Sequence, residues 1–95
     1  MASYLIAQIN ITNDEKYKEY IKKTSPLVKK HGGKFLIRGG KFEKVLGRWD
    51  YARTVVIEFP SYEDLTKWYN SDEYQPIKKI REVNSEGNVI LIEGA

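Results

Sequence analysis

Apolar residues along this chain switch between two spacings. From Tyr4 to Ile11 they alternate: Leu5, Ala7, Ile9 and Ile11 share one side, and Tyr4, Ile6, Gln8 and Asn10 share the other. That period of two, rich in β-branched residues, predicts a strand. Thr12-Asn13-Asp14-Glu15 then reads as a capping box, with Thr12 as the cap and Glu15 three residues on. Tyr17, Tyr20, Ile21, Thr24, Leu27, Val28 and His31 follow at helical spacing. Pro26 should kink this helix or restart it behind Ser25, and Gly32-Gly33 should end it. A second strand is predicted from Lys34 to Arg38, with Phe35 and Ile37 facing one way and Leu36 and Arg38 the other. Gly39-Gly40 should bend or bulge the chain into a hairpin arm through Phe42, Val45 and Leu46, turning at Gly47. Arg53 to Phe59 is the third strand, with Val55, Ile57 and Phe59 opposite Thr54, Val56 and Glu58. Ser61 caps a second helix carrying Tyr62, Leu65, Trp68 and Tyr69. Ser71 caps a third carrying Tyr74, Ile77 and Ile80, and Asn88 to Glu93 is the last strand.

Helices after the first and third strands, joined by right-handed crossovers, give an α+β fold. The expectation is a ferredoxin-like βαββαβ domain: a four-stranded antiparallel sheet with its helices on one face. The other face carries Tyr4, Ile6, Leu36, Val56 and one of Ile90 and Ile92, with Gln8, Arg38 and Glu58 among them. So much apolar surface does not belong in water, and a second copy of the chain is expected to cover it. Residues 1–95 fit one domain. A chain of this length buries only roughly 60–65% of its unfolded surface, so a partner's contribution would matter to its stability.

Composition removes several kinds of chemistry. The chain has no cysteine, hence no disulfide, thiolate nucleophile or thiolate-bound metal. The N-terminal residues lack the basic start and apolar run of a signal peptide, and no segment reaches the ~20 apolar residues of a membrane span. A cytoplasmic protein with no membrane partner is expected. The net charge of +3 is a weak basic footprint. Lys16, Lys18, Lys22, Lys23, Lys29 and Lys30 crowd one helical stretch, where charge is ordinarily solvated. The third strand also lacks the aromatic pattern of RNA-recognition domains, so no nucleic-acid partner is expected.

An ordered set of short motifs adds a resemblance. His31-Gly32-Gly33-Lys34-Phe35, Arg38-Gly39-Gly40, Gly47-x-Trp49, Glu58-Phe59-Pro60-Ser61 and Trp68-Tyr69-x-Ser71-x-x-Tyr74 occur in sequence. Together they resemble the domain-of-unknown-function 1330 family, within the dimeric α/β-barrel superfamily, over essentially the whole chain. The resemblance implies a monomer whose sheet packs face to face with a partner's, forming a barrel with a cavity. It implies no particular reaction, because that superfamily holds cofactor-free monooxygenases, haem-degrading enzymes, isomerases and plain binders, and fold does not select among them. Haem-degrading relatives pair an asparagine and a tryptophan with a later histidine. Asn10 and Trp68 match the first two, but no histidine follows His31.

Five residues are candidates for ligand contact: Gln8, His31, Arg38, Trp49 and Glu58. His31, the only histidine, is either a general base or ligand-orienting group or a helix-terminal residue that suits the negative end of the dipole and packs on its neighbours. Arg38 and Glu58, predicted on adjacent strands of one face, form either a carboxylate clamp or a cross-strand ion pair that sets register. Trp49, in a loop after Gly47, is the aromatic with least call on the core. Two functions are open. One is a homodimer binding a small, partly apolar anion beside its sheet, with turnover free of metal and organic cofactor as an extension. The other is a structural or regulatory dimer whose barrel is packed shut.

Overall fold

A computed structural model describes all 95 residues. Its elements are β1 (Ser3–Ile11), α1 (Asp14–Lys30), β2 (Lys34–Arg38), β3 (Arg53–Phe59), α2 (Tyr62–Tyr69), α3 (Tyr74–Asn84) and β4 (Ser85–Glu93). The strands form one antiparallel sheet in the order β2-β3-β1-β4, the ferredoxin-like arrangement that the pattern predicted. All three helices lie against one face. No helix is long and apolar enough to cross a membrane.

Alternation along β1 and β3 decides the inner, helix-covered face. Leu5, Ala7 and Ile9 from β1 and Val55, Ile57 and Phe59 from β3 are all buried there. Tyr17, Tyr20, Leu27 and Val28 of α1, Leu65 and Trp68 of α2, and Tyr74 of α3 complete the core. Its densest part is aromatic: Trp68 lies 5.2 Å from Phe59 and 4.3 Å from Tyr74, ring centre to ring centre. Such contacts add to the apolar area that these large side chains remove from water.

Local chemistry fixes the helix ends. The cap of α1 is Asn13, not Thr12: its Oδ1 accepts from the Lys16 N–H at 3.1 Å. Asparagine is at least as good a cap as threonine, so two adjacent candidates left the boundary open by one residue. α1 runs on through Pro26 to Lys30 without a restart. Beyond it Gly32 takes φ +83°, and a Cβ on Gly33 would come within 2.6–2.8 Å of Val28 and Phe59. The two glycines are needed for different reasons, one for its backbone and one for its lack of a side chain. Ser61 caps α2 by accepting from the Asp64 N–H at 3.1 Å. Ser71 accepts from the Tyr74 N–H at 3.2 Å, at the turn that leads into α3.

Two expectations fail. The stretch 39–52 contains no strand, so there is no hairpin arm; it is an irregular loop carrying the exposed side chains of Phe42, Val45, Leu46 and Trp49. The second failure is in β2. Phe35 pairs with Ile57, but Ile37 pairs with Val56 and Arg38 with Val55. Leu36 is therefore an extra residue, a bulge that shifts all that follows it by one position. Arg38 thus belongs to the inner face with Val55, not to the outer face with Glu58.

Candidate functional site

The bulge matters because of what it brings together. A narrow cavity runs between α1 and the inner face of the sheet, walled by Leu5, Ala7, Ile9, Phe35, Val55 and Ile57, with Tyr17, Tyr20, Ile21 and Thr24 facing them from α1. About 30 Å³ of it can be reached by the centre of a water molecule, and about 440 Å³ is free of atoms when the space out to the mouth is counted. The first figure is room for one or two waters, so an organic ligand enters only if mouth side chains swing aside.

Three arginines line this apolar space: Arg38, Arg53 and Arg81. Arg38 is exposed at the mouth, its guanidinium carbon 3.7 Å from the centre of the Phe35 ring. Arg53, paired across the sheet with Ile9, reaches over the Tyr17 ring with its guanidinium carbon 6.0 Å from the ring centre. Its Nη1 rests against Gly39, where a Cβ would come within 2.7 Å of it. A side chain at position 39 would push this guanidinium away. Arg81 is buried at 8% exposure and donates to the Tyr69 hydroxyl at 3.1 Å.

None of the three has a carboxylate partner. The ion pairs of the chain are Lys23–Glu19, Lys30–Glu73 and Arg48–Asp50, all on the surface. A buried cation without a counter-charge is costly. Two further polar atoms, Arg53 Nε and Thr24 Oγ1, are buried with no hydrogen-bond partner, against the general rule that such atoms are satisfied. The lining contains no Asp, Glu or His.

The tyrosines are donors rather than bases. Burial raises the Tyr17 hydroxyl to about 12, with neighbouring Tyr20 adding to the rise while Arg53 opposes it. Burial pushes Tyr74 up as well; its hydroxyl shares a hydrogen bond of 2.8 Å with that of Tyr20. Burial works against the Arg81 cation, but Tyr74 and the bond to Tyr69 outweigh it and the net shift is upward. Tyr17 and Tyr74 therefore keep their protons, and Arg81 its charge, throughout the neutral range.

The five residues singled out from the sequence do not converge. Only Arg38 lines the cavity. Gln8 and Glu58 lie on the outer face, where Glu58 pairs across strands with Tyr4 and Lys34, and Gln8 with Thr54 and Asn88. Glu58 and Arg38 form no ion pair and face opposite sides of the sheet, so the predicted clamp or cross-strand pair does not exist. Trp49 lies in the 39–52 loop, over a shallow depression shared with Phe42, Val45, Leu46 and Thr54. His31 closes α1, its Nδ1–H donating to the Leu27 carbonyl at 3.0 Å. The pairing of that nitrogen with a carbonyl, which can only accept, assigns the proton to Nδ1. Arg53 and Arg81 were missed although each carries a signal. Arg53 shares the parity of Val55, Ile57 and Phe59, and Arg81 follows Tyr74 and Ile77 on one helical stripe.

Fold and cavity together define a class: a ferredoxin-like α+β protein with a small basic pocket between its first helix and its sheet. Within that class the chain belongs to the DUF1330 family, described only as a domain of unknown function, whose model matches residues 2–95. None of the curated proteins matches it. Solved structures share its fold. RPA0582, a protein of unknown function from Rhodopseudomonas palustris, superposes with a TM-score of 0.80 at 16% identity, over 99% of this chain and 82% of that one. SnoaB, a cofactor-independent oxygenase from Streptomyces nogalater, gives 0.63 at 8% identity, over 99% and 93%. The de novo designed protein Foldit4 gives 0.61 at 18% identity over the full length of both. An enzyme and a designed chain are thus about equally similar to this one, and the likeness carries fold alone.

Proposed function

We propose that this protein is a homodimer that binds a small, partly apolar organic anion in the cavity between α1 and the sheet. The observation that carries the reading is the set of three cavity arginines without one carboxylate partner. The apolar walls suit the body of such a ligand, and a guanidinium fork suits a carboxylate bidentately. SnoaB brings cofactor-independent oxygenase chemistry into view. The cavity, however, offers no carboxylate or imidazole to take a proton from a substrate, so anion binding is the function its chemistry favours. The dimer rests on the outer face: Ile37, Val56, Ile6 and Ile90 form one apolar row across all four strands. Ile90 and Ile92 are 50% and 44% exposed, and the exposed apolar side chains of loop 39–52 share a depression with Thr54 on β3.

The test is a thermal-shift comparison of benzoate with benzamide, which match in shape and differ in charge. Benzoate at a hundred times its dissociation constant should stabilise the fold by about 2.7 kcal/mol, or roughly 4–8 °C per kcal/mol for a domain this size. Benzamide should do nothing, and Arg53→Met should remove the benzoate effect. Failure of every acid in a broad series to shift the transition would leave the packed, structural dimer as the better account.

A further inference from the structure

The cavity is polar at two places, not one. Its three arginines gather at the end where β1 finishes and β3 begins: Arg53 is opposite Ile9, Arg38 is opposite Val55, and Arg81 lines a second hollow that also includes Ile9. Tyr17, in the first turns of α1, meets Arg53 there. Thr24 lies seven residues further along the same helix, about 10 Å at the helical rise of 1.5 Å per residue.

The geometry of α1 places Thr24 against the far wall. The helix starts beside Arg53 and ends with Val28 near Phe59, because both would touch the same Cβ on Gly33. Thr24 lies between these two points on the helix and lines the cavity together with Leu5 and Ile57. It is 2% exposed, and its Oγ1 has no hydrogen-bond partner. In a helix interior a threonine hydroxyl can bond back to the carbonyl of the preceding turn, and this one does not. Between the arginine end and Thr24 the walls are Ala7, Ile21, Phe35 and Val55 with Tyr20, whose hydroxyl is already paired with that of Tyr74.

Building on the anion-binding reading above, we propose that the ligand is a small acid with a second hydrogen-bonding group at its far end. Its carboxylate meets Arg53 and Arg38, and its distal hydroxyl or carbonyl meets Thr24. The class is the ω-hydroxy or ω-oxo acid with a flat or narrow apolar middle, of which a 4-hydroxyaryl alkanoic acid is the simplest example. A simple fatty acid or unsubstituted aryl acid leaves the Thr24 hydroxyl buried and unpaired, so it gains only the charge contact. Discrimination of this kind is strong because a site built around a polar group penalises a ligand that lacks it.

The experiment crosses a change in the ligand with a change in the protein. Binding of 3-(4-hydroxyphenyl)propanoate and 3-phenylpropanoate is measured by calorimetry on the intact protein and on Thr24→Val and Thr24→Ser. The hydroxylated acid should bind about tenfold tighter to the unmodified protein, the usual worth of one buried hydrogen bond. The advantage should vanish in Thr24→Val and persist in Thr24→Ser. Thr24→Val removes an unpaired buried hydroxyl at nearly constant volume, so it should fold at least as well as the parent. Equal affinity of the two acids in the unmodified protein, or an advantage that survives Thr24→Val, overturns the two-ended ligand while leaving the anion site intact. No binding of either acid overturns both.

Discussion

The two faces of this sheet are made of similar residues and end in opposite conditions. On the inner face Leu5, Ile9, Val55, Ile57 and Phe59 are at most 8% exposed. On the outer face Ile6 and Val56, their neighbours in the chain, are only half-buried, and Ile90 and Ile92 remain open. The polar residues are inverted too. The open face mixes Lys34 and Glu58, adjacent across the strands, with apolar rows, whereas the cavity under the covered face is lined by three arginines, from β2, β3 and α3, and no acid. The lesson is that apolarity does not tell a core from an interface. A helix connection covers one face within the chain; the other is left to a partner. Charge says more: balanced signs fit a surface that meets its own copy, and unbalanced charge around an apolar cavity fits a ligand.

The largest expected effect lies on the outer face. Val56→Asp places a carboxylate in the middle of the apolar row on both subunits at once, and an unpaired charge there is too costly to bury. A stable interface covers well over ~1,000 Å², so light scattering at micromolar concentration should report a dimer for the parent protein and a folded monomer for the variant. A parent protein that is already monomeric would remove the outer face as an interface.

One residue along the strand, the expected effect is on stability instead. In the monomeric Val56→Asp background, Ile57→Ala opens the inner core and should cost about 2–5 kcal/mol, whereas Ile37→Ala on the outer row should cost under ~1 kcal/mol. Equal losses in chemical denaturation would mean that the two faces are not energetically distinct.

A smaller effect concerns pH. The Tyr17 hydroxyl is raised from 10.0 to about 12 in the fold, so the folded state keeps a proton that the unfolded chain has lost. Its contribution is fully present below pH 10 and is lost as pH rises towards 12, by about 2–3 kcal/mol. Alkaline unfolding followed by circular dichroism should therefore steepen in that window, and Tyr17→Phe should flatten it. A parent curve that is level from pH 10 to 12 would show that Tyr17 is not desolvated beside the cavity.

Much of this molecule was written locally. Alternation in β1 and β3, the helical stripe from Tyr17 to Val28, the Ser61 cap and the paired glycines at 32 and 33 each depend on residues within a few positions of one another. Backbone sterics, hydrogen bonding and the two side-chain periods act over that range, so sequence alone determined the element order and the fold. It also held the parity of Arg53 and the helical stripe of Arg81, two cavity residues legible in retrospect. What it did not contain was the bulge at Leu36. Leu36 and Ile37 are both apolar, so slipping the register by one leaves the pattern unchanged to the eye while turning Arg38 from one face to the other. Only the pairing of β2 with β3 decided that, because a bulge exists in relation to a partner strand. The same holds for the cavity, whose three arginines come from β2, β3 and α3 and share an end only once the sheet has formed and α3 has folded back beside α1.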